Sequence, residues 1–285
     1  MQGECYMKRI IDPRKMQEFE FHLRDEERST ATIEKYMRDV RRFASFVRDA
    51  EIDKHTVLDY KSKLGAEYAV ASANSMIAAM NGFLRFCGWH ELCVKQFKTQ
   101  REAYCSEEKE LTRAEYIRLL DAAKAKRNMR LNLIIQTICG TGIRVSELEY
   151  ITVEALHSGE ATVNCKGKVR RIFIVPELKK KLLGYVKEQG IKTGTVFVTR
   201  GGKPVSRNSI WKDMKALCEQ ANVSPSKVFP HNLRHLFART FYGIEKDIAK
   251  LADILGHASV NTTRIYIITT GAEHKRKMQN MRLII

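Results

Sequence analysis

Three short stretches gather the residues able to do chemistry. In PHNLRHLFARTF, residues 230–241, Leu233, Leu236, Phe237 and Phe241 mark an apolar helix face, and His231, Arg234 and His235 fall on the other side. His231 and Arg234 are i,i+3 neighbours, so one helical turn can offer an imidazole and a guanidinium to a single anion. In LGHASVNTTRIY, residues 255–266, His257 stands in a break just after Gly256 stops a helix. Ser259 then caps a short helix that leads to Tyr266, nine positions beyond the histidine. In CGTGIRVSELEYI, residues 139–151, Arg144 follows an apolar helix interrupted by Gly140 and Gly142. An Arg there can project from a helix start, where backbone N–H groups also favour anions. Lys166-Gly167-Lys168 places an ammonium at a turn between two β-branched runs.

Each feature has a plainer reading. His231 and His235, at i,i+4, have zinc-ligand spacing, but the hydrolase pattern HExxH needs a Glu where Asn232 stands. His235 borders the packed side and reads as a core histidine that supports the others. Arg144 alone would be a surface Arg paired with Glu147, and the turn lysines alone would be solvated. Asn261, Thr262 and Thr263 read as caps and packing.

The elements that must hold these residues divide the chain. Residues 1–97 read as a helical domain. A cap at Ser29 or Thr30 opens a helix in which Ile33, Tyr36, Met37, Val40, Phe43, Ala44 and Val47 recur at spacings of three and four. Arg38, Arg41, Arg42 and Arg48 fall mostly off that stripe and carry charge outward. A helix near 72–87 turns Met76, Met80, Phe83, Leu84 and Cys87 inward. A polar segment without apolar periodicity follows, and residues 98–108 read as a linker. Thr112 and Glu115 form a capping box, so a second domain spans 109–285. It combines helices with one small antiparallel sheet around the lysine turn. SRNSIWKDMKALCEQA reads as a helix capped by Ser206, with Ile210, Trp211, Met214, Leu217 and Cys218 inward. The fold class is therefore mostly α with a small antiparallel β-sheet, preceded by a helical N-terminal domain.

Bulk properties narrow the partners. The 285 residues suffice for two modest cores, and 44% hydrophobic content marks a globular chain. Lys and Arg number 50 against 33 Asp and Glu, a net charge of +17 that points to a polyanion, nucleic acid first. No apolar run approaches the ~20 residues of a spanning helix, and the start lacks a signal-peptide core, which argues against a membrane role. Seven cysteines, an odd count with no CxxC pair, suit reduced thiols in a cytoplasmic protein.

GTGIRVSEL, the lysine hairpin, PHNLRHLFA and LGHASVNTTRIY follow one another between residues 139 and 266. In order and spacing they resemble the tyrosine recombinase (phage integrase) family. That family is recognised by an Arg, a Lys, His-x-x-Arg, a His or Trp, and a Tyr nine residues later. The resemblance covers the second domain in motif order, and the first domain is similar to the family's core-binding domain in pattern and position. It implies that Arg144 and Arg234 are the two family arginines, His231 and His257 the two histidine positions, and Tyr266 the nucleophile. Glu147 falls where the family keeps an acidic residue that orients the site. The family hairpin often reads GKGxKxR and this one reads CKGKVRR, so Lys166 is preferred as the family lysine and Lys168 is the alternative.

The implied reaction is phosphoryl transfer on double-stranded DNA with no metal and no cofactor. Two guanidiniums can clamp the non-bridging oxygens with paired planar donors. Tyr266 must lose its proton to attack. A free phenol holds its proton up to pH of about 10, so a cationic pocket has to favour the phenolate. Attack gives a 3′-phosphotyrosine and a free 5′-hydroxyl, and Lys166 can supply the acid. Exchange implies a tetramer of this chain on two duplexes, acting through a Holliday junction, with accessory DNA-bending proteins as further candidate partners. The tail carries Lys275, Arg276 and Lys277 and then Met278, Met281, Leu283, Ile284 and Ile285; it would pack on a neighbouring subunit or on its own domain. The expected layout is the simpler two-domain one, without the extra arm-binding domain of many phage integrases. That layout suits a mobile-element integrase, the favoured role, or a Xer-type host enzyme. A type IB topoisomerase-like nicking-closing enzyme and an inactive DNA-binding architectural protein are the alternatives.

Overall fold

The structure is a computed structural model. It describes residues 9–48, 50–99, 107–165, 168–266, 275 and 278–281, with the side chains of 107, 165 and 168 left aside. The chain forms two compact units, Met1–Arg101 and Glu102–Ile285.

The first unit holds four helices: α1 (Pro13–Asp25), α2 (Thr30–Val47), α3 (Lys54–Glu67) and α4 (Val70–Phe86). Asp12 caps α1 by accepting the Lys15 N–H at 2.7 Å, with Pro13 in the first turn where no amide hydrogen is needed. On α2, Ile33, Met37, Val40, Phe43 and Val47 are buried, and they meet Ile77, Met80, Phe83 and Leu84 of α4 in one core. Ser29 is the residue ahead of α2, and its hydroxyl bonds that of Thr32 at 2.9 Å instead of a backbone amide. Asp39 is the buried charge of this helix. It is neutralised by Lys35 at 2.8 Å and Arg38 at 3.3 Å. Arg38, Arg41, Arg42 and Arg48 all face solvent, as the stripe requires.

The second unit begins with α5 (Arg113–Ala125), opened by the Thr112–Glu115 capping box, and α6 (Met129–Thr141). A 3-10 segment (Val145–Tyr150) and α7 (Val153–Ser158) lead into β1 (Glu160–Cys165) and β2 (Lys168–Phe173). The strands pair antiparallel from Glu160 opposite Phe173 to Cys165 opposite Lys168. Helices α8 (Pro176–Glu188), α9 (Arg207–Lys215), α10 (Cys218–Ala221), α11 (Pro230–Glu245), α12 (Ile248–Leu255) and α13 (Val260–Arg264) complete it. The described residues are thus mostly helical with one two-stranded sheet. Among them, no helix is long and apolar enough to cross a membrane.

Three local expectations are corrected. Helix α6 continues through Gly140 and ends at Gly142, whose φ of +65° makes it the left-handed cap. An interior Gly weakens a helix by only ~1 kcal/mol, and the buried flank of Ile134, Ile135 and Ile138 outweighs that. Trp211 is 46% exposed, because α9 turns Ile210 and Met214 inward and the next residue around the helix is rotated away. The Lys215 ammonium lies 5.3 Å from the Trp211 ring and covers it. Arg234, expected on the polar side of its helix, is only 1% exposed. In the tail, Met278 and Met281 face solvent. The expectations for residues 276, 277 and 283–285 lie outside the described residues.

Candidate active site

Among the described residues, Arg234 is the largest fully buried side chain, and none of them gives it a carboxylate partner. Two helix ends and a histidine explain how a cation is held there. Its Nη1 donates to the carbonyl of Gly142, the cap of α6. Its Nη2 donates to the carbonyl of Leu255, the last residue of α12, at 2.7 Å, and lies 3.0 Å from His257 Nε2. Carbonyls at helix C-termini lack intrahelical partners and carry the negative end of the helix dipole. The guanidinium satisfies two such groups at once. This is why α11 buries a residue that its apolar periodicity assigns to the polar side. Burial, and then the nearby Arg144 cation, pull the Arg234 pKa down to about 10, which leaves it charged at pH 7. Its Nε–H is buried and has no hydrogen-bond partner among the described residues.

The glycine at 142 is required twice. Its left-handed φ is costly for other residues, and a Cβ there would come within 2.5 Å of the Phe237 ring. Pro230 opens α11, so His231, Arg234 and His235 occupy its first two turns.

Arg144 precedes the 3-10 segment, and Glu147 reaches back to it. The Glu147 carboxylate accepts the Arg144 backbone N–H at 2.9 Å and the Arg144 Nη1 at 2.8 Å. Arg170, on β2, pairs with the same carboxylate and donates to the Ile254 carbonyl at 3.0 Å. Arg144 Nη2 lies 3.4 Å from the Gly256 carbonyl. Burial pushes the Glu147 carboxyl up, but hydrogen bonds from Arg144 and the charges of Arg170 and Arg144 outweigh it and hold the pKa below the usual range. The hairpin, the 3-10 segment and α12 are thereby fastened together on one ionised carboxylate. Gly256 has no Cβ to obstruct this, since one there would meet Arg170 Cδ at 2.7 Å.

Tyr266 is 6% exposed and belongs to the small apolar cluster of Ala238, Leu251 and Leu255. Its ring centroid lies 4.3 Å from His235, 5.2 Å from His257 and 5.3 Å from His231. Arg234 Cζ is 5.9 Å from the same ring. His257 Nδ1 lies 2.7 Å from the Thr263 hydroxyl. Burial first, and then neighbouring cations, push His257 down to about 4. His235 is also pushed down to about 4, by burial, His231 and Arg234. His231, at the outer edge, is lowered by loss of surrounding water and then by Arg234, Arg144 and Arg207. Partial burial and neighbouring cations therefore keep the half-buried His235 and His257 rings neutral at pH 7, able to accept as well as donate.

Of the residues singled out in the sequence, His231, Arg234, His235, His257 and Tyr266 meet in one cluster, with Arg144 and Glu147 joined to it through α12. Lys166 lies outside the described residues. Lys168 is placed by its backbone, at the first position of β2. Two residues escaped the sequence reading. Arg170 had a signal, because strand alternation puts it on the same face as the buried Ile172. Thr263 had none beyond its position three residues before Tyr266.

The chain belongs to the phage integrase family: residues 109–272 match it, and residues 16–91 match the phage integrase N-terminal SAM-like domain. It is 30% identical over 280 residues to tyrosine recombinase XerA of Thermococcus kodakarensis, covering 95% of each chain. It is 29% identical over 267 residues to tyrosine recombinase XerD of Halalkalibacterium halodurans, covering 85% of this chain and 88% of that one. The crystal structure of a lambda integrase dimer bound to a COC′ core site superposes with a TM-score of 0.75 at 18% identity, over 90% of this chain and 95% of that one. That likeness establishes a shared fold.

Proposed function

We propose that this chain is a site-specific DNA recombinase that cuts and rejoins double-stranded DNA through a 3′-phosphotyrosine on Tyr266. The observation that carries the reading is the meeting of Tyr266 with Arg234, His231 and His257 inside one chain. Arg234 and Arg144 are the clamp for the non-bridging phosphate oxygens. Their guanidiniums are fixed before DNA arrives, so little reorganisation is needed as charge builds up in the transition state. His231 adds a hydrogen bond to the same anion, His257 accepts from Arg234 and steadies it, His235 packs behind the nucleophile, and Glu147 aims Arg144.

In the reaction the Tyr266 oxygen forms a bond to phosphorus and gives up its proton to the neighbouring His231 ring. The bond from phosphorus to the 5′-oxygen breaks, and that oxygen takes a proton from the hairpin lysine. The phosphodiester bond energy is kept in the tyrosyl ester and is used for rejoining. DNA is held non-specifically by Lys and Arg of both units, and the grip weakens steeply with salt. The first unit acts as the DNA clamp. Four copies on two duplexes exchange strands through a Holliday junction, with DNA-bending proteins as accessory partners, in the cytoplasm.

The test is incubation with genomic DNA fragments, SDS trapping and sequencing of the attached DNA. Adducts at one defined sequence, with recombinant products, are the expected result. Relaxation of supercoils without synapsis would instead assign a topoisomerase-like activity, and no adduct at all would leave a DNA-binding protein. Lys166→Ala should slow cleavage of an ordinary substrate and recover when the 5′ leaving group is a thiolate, which needs no acid. Lys168→Ala should need no rescue. A reversed result would move the acid to Lys168.

A further inference from the structure

A chain of hydrogen bonds runs from α13 to the buried guanidinium. Thr263 Oγ1 lies 2.7 Å from His257 Nδ1, and His257 Nε2 lies 3.0 Å from Arg234 Nη2. A guanidinium nitrogen can only donate, so Nε2 accepts through its lone pair. His257 is neutral at pH 7, because burial and the cations Arg234, Arg144 and Arg170 hold its pKa to about 4. A neutral imidazole with a bare Nε2 carries its one proton on Nδ1. That N–H therefore donates, and the Thr263 hydroxyl accepts. Thr263 is fully buried, at 0% exposure, so no bulk water competes for the bond. The Thr263 carbonyl also accepts the Tyr266 backbone N–H, at 2.9 Å.

We propose that Thr263 is a positioning residue that holds His257 in its Nδ1–H tautomer and, through it, fixes the Arg234 guanidinium beside Tyr266. The proposal rests on the recombinase reading and deepens it. The opposite tautomer would set an Nε2–H against an Arg234 N–H, donor facing donor in a buried space, and would leave Nδ1 to be served by a rotated hydroxyl. The Gly142 and Leu255 carbonyls anchor the guanidinium to two helix ends. The His257 bond ties it instead to the helix that delivers the tyrosine. One threonine thus couples the aim of the clamp to the placement of the nucleophile.

The experiment uses the full chain labelled with ¹⁵N-histidine, and His257→Gln assigns the signal among the eight histidines. In the wild-type chain without DNA, His257 should show a protonated Nδ1 and a bare Nε2. Thr263→Val keeps the β-branched shape but removes the acceptor. It should shift the ring toward the Nε2–H form and slow cleavage of a DNA substrate that traps the covalent intermediate by about 10- to 100-fold. DNA affinity at fixed salt should stay within about twofold, because phosphate grip is spread over many basic residues. Thr263→Ser should restore both tautomer and rate. A wild-type spectrum with Nε2–H overturns the proposal. So does a Thr263→Val chain that keeps Nδ1–H, or a Thr263→Ser chain as slow as Thr263→Val. If Thr263→Val does not fold, the wild-type spectrum and the serine variant decide. The spectrum needs no DNA, so a wild-type chain that never forms an adduct would strike the recombinase reading separately.

Discussion

Tyr266→Phe should abolish the covalent protein–DNA adduct and lower strand cleavage by about 10⁴-fold or more, because the nucleophilic oxygen is gone and no other group takes its place. The fold should survive. The phenyl ring still fills the cluster of Ala238, Leu251 and Leu255 and still packs on His235. DNA binding should change by no more than about twofold, since the lost hydroxyl carries no part of the positive charge that attracts phosphates. Electrophoresis in SDS reads the adduct, and a mobility shift reads the binding. Persistence of the adduct in the phenylalanine variant would falsify the assignment of the nucleophile. The structure adds a sharper expectation. Tyr266 lies beside Arg234 of its own chain. Each subunit should therefore cut with its own tyrosine. A mixture of Tyr266→Phe subunits with subunits disabled at Arg234 should form no more adduct than either alone. Recovery on mixing would mean that the tyrosine is donated between subunits.

Arg234→Lys should be the most damaging conservative change. Lysine keeps the charge but offers a single ammonium, which cannot reach the Gly142 carbonyl, the Leu255 carbonyl and His257 together. Cleavage should fall by about 10³-fold, through loss of paired donors to the phosphate. Stability should fall as well, by about 2–4 kcal/mol, because at least one buried carbonyl and the His257 acceptor lose their donor. Urea unfolding measures the second effect and single-turnover cleavage the first. Arg144 provides the contrast. Its side chain is 39% exposed and shares Glu147 with Arg170. Arg144→Lys should lose catalysis by about 10²-fold with little change in unfolding. Equal rates for wild type and Arg234→Lys would remove Arg234 from the clamp.

Much of this was open to reading from residue order alone. The i,i+3 and i,i+4 periodicities of α2 and α4, the caps at Thr112, Ser206 and Ser259, and the stop at Gly256 are local effects, set by backbone geometry within a few residues. The same holds for the pairing of β1 with β2, two runs that carry β-branched residues. The candidate site was legible for a different reason. Its residue types are those that phosphoryl transfer without a metal demands, in an order along the chain that matches a known family.

What periodicity could not show is where the charges go. It assigned Arg234 to the polar side of α11, and it assigned Trp211 to the interior. Both outcomes depend on partners far away in sequence. Arg234 is buried because α6 and α12 bring their C-terminal carbonyls to it, across 92 and 21 residues. Arg170 and Thr263 matter only because tertiary packing sets one against Glu147 and the other against His257. Sequence by itself determined the elements and the inventory of reactive groups, since these follow from short-range geometry and side-chain chemistry. The tertiary structure alone decided which guanidinium is locked, which partners a histidine meets and what stands next to the tyrosine, because hydrogen bonds and burial depend on distances in space, which neighbours in sequence do not fix.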